Sequence, residues 1–168
     1  NSAAPFVLAD DPLARAIEAE LEAHDATAIR NAAAALSEAY RGRRAIARTL
    51  SPVERAAYLA VRFPATFASA GAVWGEFARV CDLGNVRTVV DVGAGPGTAS
   101  LAASSVLPSA SFSFFERDSG WRQTAARLAT ALEIDSSFRV GALPGPVAPH
   151  DIVVSAYATL ANRRGSRD

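Results

Sequence analysis

The sequence predicts an α/β fold, a parallel β-sheet wrapped by helices and preceded by a helical segment. Three observations predict it. From Arg87 onward, short β-branched and aromatic runs alternate with helical stretches, the pattern of right-handed βαβ units. Before Arg87 the apolar residues recur at helical spacing. At the junction, Thr88-Val89-Val90-Asp91-Val92-Gly93-Ala94-Gly95-Pro96-Gly97-Thr98 runs from β-branched residues into an acid, then three glycines, then a small-residue stretch.

Residues 11–50 are alanine-rich, with Leu13, Ile17 and Leu21, and then Ile29, Ala33, Leu36 and Tyr40, at helical intervals. The spacing predicts two helices broken near His24–Thr27. Ser51-Pro52-Val53-Glu54 is a helix start, with Ser as N-cap, Pro in the first turn and Glu three residues after the cap. That helix is expected to reach about Phe63, where Pro64 biases its neighbour away from helix. A further helix is expected from Thr66 to about Val80. Strands are expected at 87–92, 111–116, 138–140 and 151–156, and helices at 98–106 and 119–132. Gly141 to Pro149 reads as a loop. The expected organisation is an N-terminal helical segment, 1–84, and a ligand-binding α/β domain, 85–168.

Composition excludes some chemistry. All seventeen basic residues are Arg, so no lysine Schiff base or lysine general base exists in this chain, and the formal net charge is zero. One cysteine, Cys81, permits no internal disulfide; its apolar surroundings suggest a buried thiol. His24 and His150 stand apart from any ligand set, so no metal site is expected. No apolar run approaches the roughly 18 residues that span a bilayer, and no signal segment opens the chain, so a cytoplasmic protein with no membrane partner is expected. The absence of Met and the start at Asn1 are expected of a piece of a longer protein.

The glycine loop carries the functional argument. Glycines let a backbone turn sharply and approach a ligand closely. The free N–H groups of the helix starting at Thr98 are expected to face the same ligand. The dinucleotide fingerprint G-x-G-x-x-G is not met, because the third glycine comes one residue early and Thr98 stands where that pattern wants Gly. A tight turn of a generic α/β protein and a nicotinamide or flavin site are the competing readings of the loop. The strand Ser111-Phe112-Ser113-Phe114-Phe115-Glu116 ends in an acid about 20 residues beyond the loop, a spacing that suits two ribose hydroxyls. A solvated strand-end carboxylate is the plainer reading of Glu116.

The run D-x-G-x-G-x-G from Asp91 resembles the first motif of class I S-adenosyl-L-methionine-dependent methyltransferases. The resemblance implies a Rossmann-like sheet, with Asp91 near the methionine part of the cofactor. The loop Gly93, Ala94, Gly95, Pro96 and Gly97 would pass under its ribose and methionine. It also implies adenine contacts after the third strand, at Gly141, Ala142 and Leu143, and a crevice at the end of the fourth strand, at Ser155, Ala156 and Tyr157. Tyr157 is the candidate catalytic-site residue, to stack on a substrate base or line the transfer site; a capping aromatic is its alternative. No Asn-Pro-Pro-Tyr tetrapeptide is present, which argues against exocyclic-amine chemistry. The sequence supplies the first four strands of such a sheet, and the later strands are expected to be missing from this chain.

Upstream, Tyr58-Leu59-Ala60-Val61-Arg62-Phe63-Pro64-Ala65-Thr66-Phe67-Ala68-Ser69, taken with the loop and with Phe115-Glu116-Arg117, resembles the methyltransferase-like family of the mitochondrial small ribosomal subunit and its bacterial relatives. That resemblance spans 58–157. It implies a cofactor-binding protein acting in small-subunit rRNA methylation or ribosome assembly, and it adds Arg117 to the cofactor-binding set. Its cysteine-ligated cluster does not carry over, because Cys81 lies outside that region. Arg62 and Thr66 are candidates to close over the cofactor's carboxylate, with a helix-terminus ion pair as the alternative. Arg41, Arg43, Arg44 and Arg48 are candidates to touch RNA phosphate, or form a solvated face. Trp74 and Trp121 are expected in the core. A non-catalytic assembly factor of the same fold and a nicotinamide oxidoreductase are the rival functions. Glycine spacing and the lack of a proton-relay residue argue against the second.

Overall fold

A computed structural model describes residues 11–41, 49–140, 149 and 151–156. The N-terminal helices are α1 (Pro12–Glu22), α2 (Ala26–Arg41), α3 (Pro52–Val61) and α4 (Phe63–Val80). Asp11 caps α1 by accepting from the Leu13 amide. The break before α2 is closed by Asp25, whose carboxylate accepts from the Thr27 and Ala28 amides. Ser51 and Glu54 form the expected capping box of α3, with Pro52 in its first turn. Pro64 does not end α3 as expected; the break falls earlier, at Arg62, and Pro64 opens α4. It lies in the first turn of α4, where a missing N–H costs nothing, so the joint between α3 and α4 shrinks to Arg62.

The second half supplies β1 (Thr88–Val92), α5 (Thr98–Ala103), β2 (Ser111–Phe115), α6 (Ser119–Ala131), β3 (Ser136–Arg139) and β4 (Ile152–Val154). Their order across the sheet is β3-β2-β1-β4, and every pairing is parallel. This is the α/β architecture the sequence predicts, in the strand order of a Rossmann-like half-sheet. Helix α5 ends at Ala103 rather than near Val106, where the Ser104 and Ser105 hydroxyls turn back onto the Leu101 and Ala102 carbonyls. Strand β3 starts two residues earlier than expected.

Register fixes which side chains share a face. Val89 lies beside Phe112 and Ile152, and Asp91 beside Phe114 and Val154. One buried cluster joins Trp74 of α4 to Val89, Phe112, Phe114 and Ala102. A second joins Leu13, Leu36 and Phe63 of the helical segment to Leu101, Trp121 and Leu128. Both tryptophans are therefore buried, as expected. Cys81 is not: it is exposed, because it caps the end of α4, beyond the last turn that faces the core. Val73, Phe77 and Val80 of α4 are exposed as well. No helix among the described residues is long and apolar enough to cross a membrane.

Candidate functional site

Strands β2 and β3 lie to one side of β1, and β4 lies to the other. The chain reverses direction across the sheet there, which opens a crevice beyond the strand C-termini. A cavity of about 600 Å³ occupies it. The glycine loop (Gly93, Ala94, Gly95 and Pro96) and Asp91 form one side, and Ser155 and Ala156 after β4 form another. The opposite wall comes from the helical segment: Thr66, Ser69, Ala70, Val73 and Trp74 fall on one face of α4 at spacings of three and four residues. Tyr40, Leu50 and Tyr58 complete that side, with Trp121 of α6, whose ring meets Tyr58 edge-on at 5.3 Å.

The loop turns on three glycines with positive φ: Gly93 at 69°, Gly95 at 55° and Gly97 at 79°. Two of them serve different ends. A Cβ on Gly97 would lie 2.8 Å from Cε1 of Phe114, so the core itself requires Gly97. A Cβ on Gly95 would meet no atom within 4 Å, so the close approach this glycine permits is to whatever enters the cavity.

The loop's amides are committed. The Gly93 and Ala94 N–H groups donate to the Phe115 carbonyl at 2.8 and 3.2 Å, and Gly97 N–H donates to the Ala94 carbonyl at 2.8 Å. Gly95 N–H donates to Oε2 of Glu116 at 2.9 Å, and Pro96 has no N–H. The expected free donors belong to the first turn of α5, and the loop does not add to them. The chain folds the loop back onto β2 instead.

Glu116 is consequently a brace. Its second oxygen accepts from the Asp118 amide at 2.8 Å, and Asp118 in turn caps α6 through the Gly120 and Trp121 amides. Neither Glu116 nor Arg117 lines the cavity. Arg117 is exposed, and its carbonyl accepts from Nη1 of Arg122 at 2.7 Å. Each carboxylate oxygen of Glu116 retains a lone pair beyond its amide partner.

Asp91 is the buried ionisable group of the site, 2 % exposed. Burial pushes its carboxyl up to about 6, and the nearby Glu116 charge adds to the rise. Hydrogen bonds from the hydroxyl (2.8 Å) and backbone of Ser100 oppose it. A carboxyl so placed gains from a cation in the cavity, which would replace the solvation that burial removes.

Arg62 is exposed, stacks its guanidinium 4.2 Å from the Tyr40 ring centroid and does not line the cavity; Thr66 does. Arg41 is exposed and pairs with Glu38 at 2.6 Å. Gly141, Ala142, Leu143, Tyr157, His150 and Arg43, Arg44 and Arg48 lie outside the described residues. Sequence reasoning missed Ser69, Ser100, Tyr40 and Tyr58 as parts of the site. The three-and-four spacing of small and hydroxyl residues from Thr66 to Ala70 was the available signal, masked by the larger apolar residues beside it.

No family model and no curated protein matches the sequence. Solved structures do resemble the chain. They include the S-adenosylmethionine-dependent methyltransferase SibL in its apo form, with 18% identity over 88% of this chain and 46% of that one, at a TM-score of 0.47. The plantazolicin methyltransferase BpumL, solved with a monoazolic desmethylPZN analog and SAH, matches at 17% identity over 74% of this chain and 47% of that one, with a TM-score of 0.46. The mitomycin 7-O-methyltransferase MmcR matches at 22% identity over 63% of this chain and 30% of that one, with a TM-score of 0.44. The chain spans less than half the length of each of these structures. At such scores the case for a cofactor rests on the chain's own loop, carboxyl and cavity.

Proposed function

We propose that the chain binds S-adenosyl-L-methionine and belongs to a methyltransferase whose acceptor is small-subunit ribosomal RNA. The observation that carries the cofactor reading is the pairing of spent loop amides with a buried carboxyl. A pyrophosphate needs free backbone donors; the loop from Gly93 to Gly97 offers none, which leaves the first turn of the six-residue α5 to supply them all. A cation needs a carboxylate, and Asp91 lines the cavity. This favours a positively charged cofactor over a dinucleotide. The ribosomal assignment is the finer step; its support is the likeness of residues 58–69 and the loop to the small-subunit family.

Bound in this cavity, S-adenosylmethionine supplies an electrophilic methyl group. The chain's own part is positional. The loop would set the floor, Asp91 would compensate positive charge, and α4 would form the facing wall. Proximity then supplies the acceleration, and no covalent residue is required.

Calorimetric titration with S-adenosylmethionine, S-adenosylhomocysteine and NAD tests the cofactor. Micromolar binding of the first two alone is expected; NAD binding instead would overturn the reading. Methyl incorporation into purified small-subunit particles tests the acceptor, and labelling of other RNA alone would remove the ribosomal assignment.

A further inference from the structure

Two hydroxyls on the cavity face of α4 have already committed their protons. Oγ1 of Thr66 donates to the Arg62 carbonyl at 2.9 Å, and Oγ of Ser69 donates to the Ala65 carbonyl at 2.9 Å. The indole N–H of Trp74, farther along the same face, donates to the Ala99 carbonyl at 3.0 Å. A hydroxyl has one proton and two lone pairs, so what Thr66 and Ser69 leave for the cavity is lone pairs. Ala70 and Val73, between them and Trp74, add no polar atom. The wall that α4 turns to the cavity therefore accepts hydrogen bonds and donates none.

That asymmetry selects among ligand groups. A carboxylate or phosphate would meet oxygen against oxygen. An ammonium brings donors and no acceptor, and its charge is complemented by Asp91 in the same cavity. We propose that Thr66 and Ser69 are specificity-determining contacts that accept hydrogen bonds from a primary ammonium of the ligand. The proposal rests on the cofactor reading above. The amino-acid part of S-adenosylmethionine carries both an ammonium and a carboxylate, and the α4 wall chooses between them. It also reverses the expectation that Thr66 helps to hold the carboxylate.

The test uses the whole chain and three thioether ligands: S-adenosylhomocysteine, its decarboxylated form, which keeps the ammonium, and methylthioadenosine, which has neither group. Affinities are measured by calorimetry for the wild type and for the Thr66→Val/Ser69→Ala variant. Both substitutions suit a helix surface, and a matching thermal melt establishes that the variant folds. Each lost hydrogen bond to a charged group is substantial, so the first two ligands should weaken about tenfold or more. Methylthioadenosine should bind unchanged. Thr66→Ser, which keeps the hydroxyl, should retain wild-type affinities and remains a readable variant if the double substitution fails to fold, with Thr66→Val alone as its counterpart. Three results would overturn the proposal alone: the decarboxylated ligand unaffected by the substitutions, methylthioadenosine weakened equally, or the decarboxylated ligand bound by wild type no more tightly than methylthioadenosine. Wild-type protein that binds none of the three overturns the cofactor reading itself.

Discussion

At Asp91, burial and hydrogen bonding pull in opposite directions, and burial wins. The folded chain keeps this carboxyl protonated up to about pH 6, whereas the unfolded chain releases the proton near 3.8. Stability is therefore full below the lower value, falls as pH rises toward 6 and stays reduced above it. Asp91→Asn keeps an acceptor for the Ser100 hydroxyl and removes the charge. It should stabilise the chain at pH 8 by roughly 2–3 kcal/mol and leave it nearly unchanged at pH 3, as read from thermal or urea melts at the two pH values. Equal melts at pH 8 would refute the burial argument. The same group sets the ligand's pH dependence. Affinity for S-adenosylmethionine should climb through pH 6 as Asp91 ionises, and that climb should vanish in the Asn variant. The glycines give a paired prediction. Gly95→Ala and Gly97→Ala both place a side chain at positive φ, at about 1–2 kcal/mol each. Only Gly97→Ala also drives a methyl into Phe114. Denaturant melts should thus rank Gly97→Ala as clearly more destabilising, while Gly95→Ala should lose ligand affinity beyond its modest loss of stability.

Among the elements, β4 has the least to hold it. It is three residues long and pairs along β1 alone among the described strands. Its anchor is Asp151, whose carboxylate accepts from the Arg87 amide, the Thr88 amide and the Thr88 hydroxyl, each near 2.9–3.0 Å. The Arg87 amide bond, followed by those from Thr88, holds this carboxyl below its ordinary range. A lowered acid contributes stability above the unfolded value and loses it as pH falls through the folded one, so the clamp should open on acidification. Asp151→Asn should raise hydrogen exchange at Ile152 and Val154, the β4 amides that the register turns toward β1, at neutral pH while leaving β2 amides protected; unchanged exchange there would show that ladder pairing alone secures β4. The crossing from sequence to structure is also clearest at this scale. β1 and β2 were legible because β-branched and aromatic runs signal them locally. The start of α4 was not, because Pro64 suits a first turn as well as a break, and only packing of Phe63 into the core decides between them. The glycine loop was legible as a turn. Its spent amides were not, since they depend on Phe115 and Glu116 arriving from another strand.

Across the whole molecule, the segment before residue 85 and the sheet that follows share their interior. One cluster places Leu13, Leu36 and Phe63 against Leu101, Trp121 and Leu128; the other places Trp74 against Val89, Phe112 and Phe114. Phe67, Ile134 and Phe138 pack against both, so neither cluster is sealed without the other. The cavity follows the same plan, with α4 facing the glycine loop. Sequence pattern separates the two segments because periodicity changes at residue 87, but periodicity carries no information about which faces meet. The joint packing predicts joint unfolding. Each cluster holds one of the chain's two tryptophans, Trp121 in the first and Trp74 in the second, and both are buried. Trp74→Phe and Trp121→Phe variants therefore report one cluster each by fluorescence. A fluorescence melt is compared with the far-ultraviolet dichroism of the same variant, so any change in stability from the substitution cancels. If the shared residues couple the clusters, fluorescence and dichroism coincide in both variants, as a single cooperative transition requires. A Trp121 signal that melts well below the dichroism of its own sample would mean that the helical segment detaches while the sheet persists, and that the α4 wall of the cavity is mounted on a unit with its own stability.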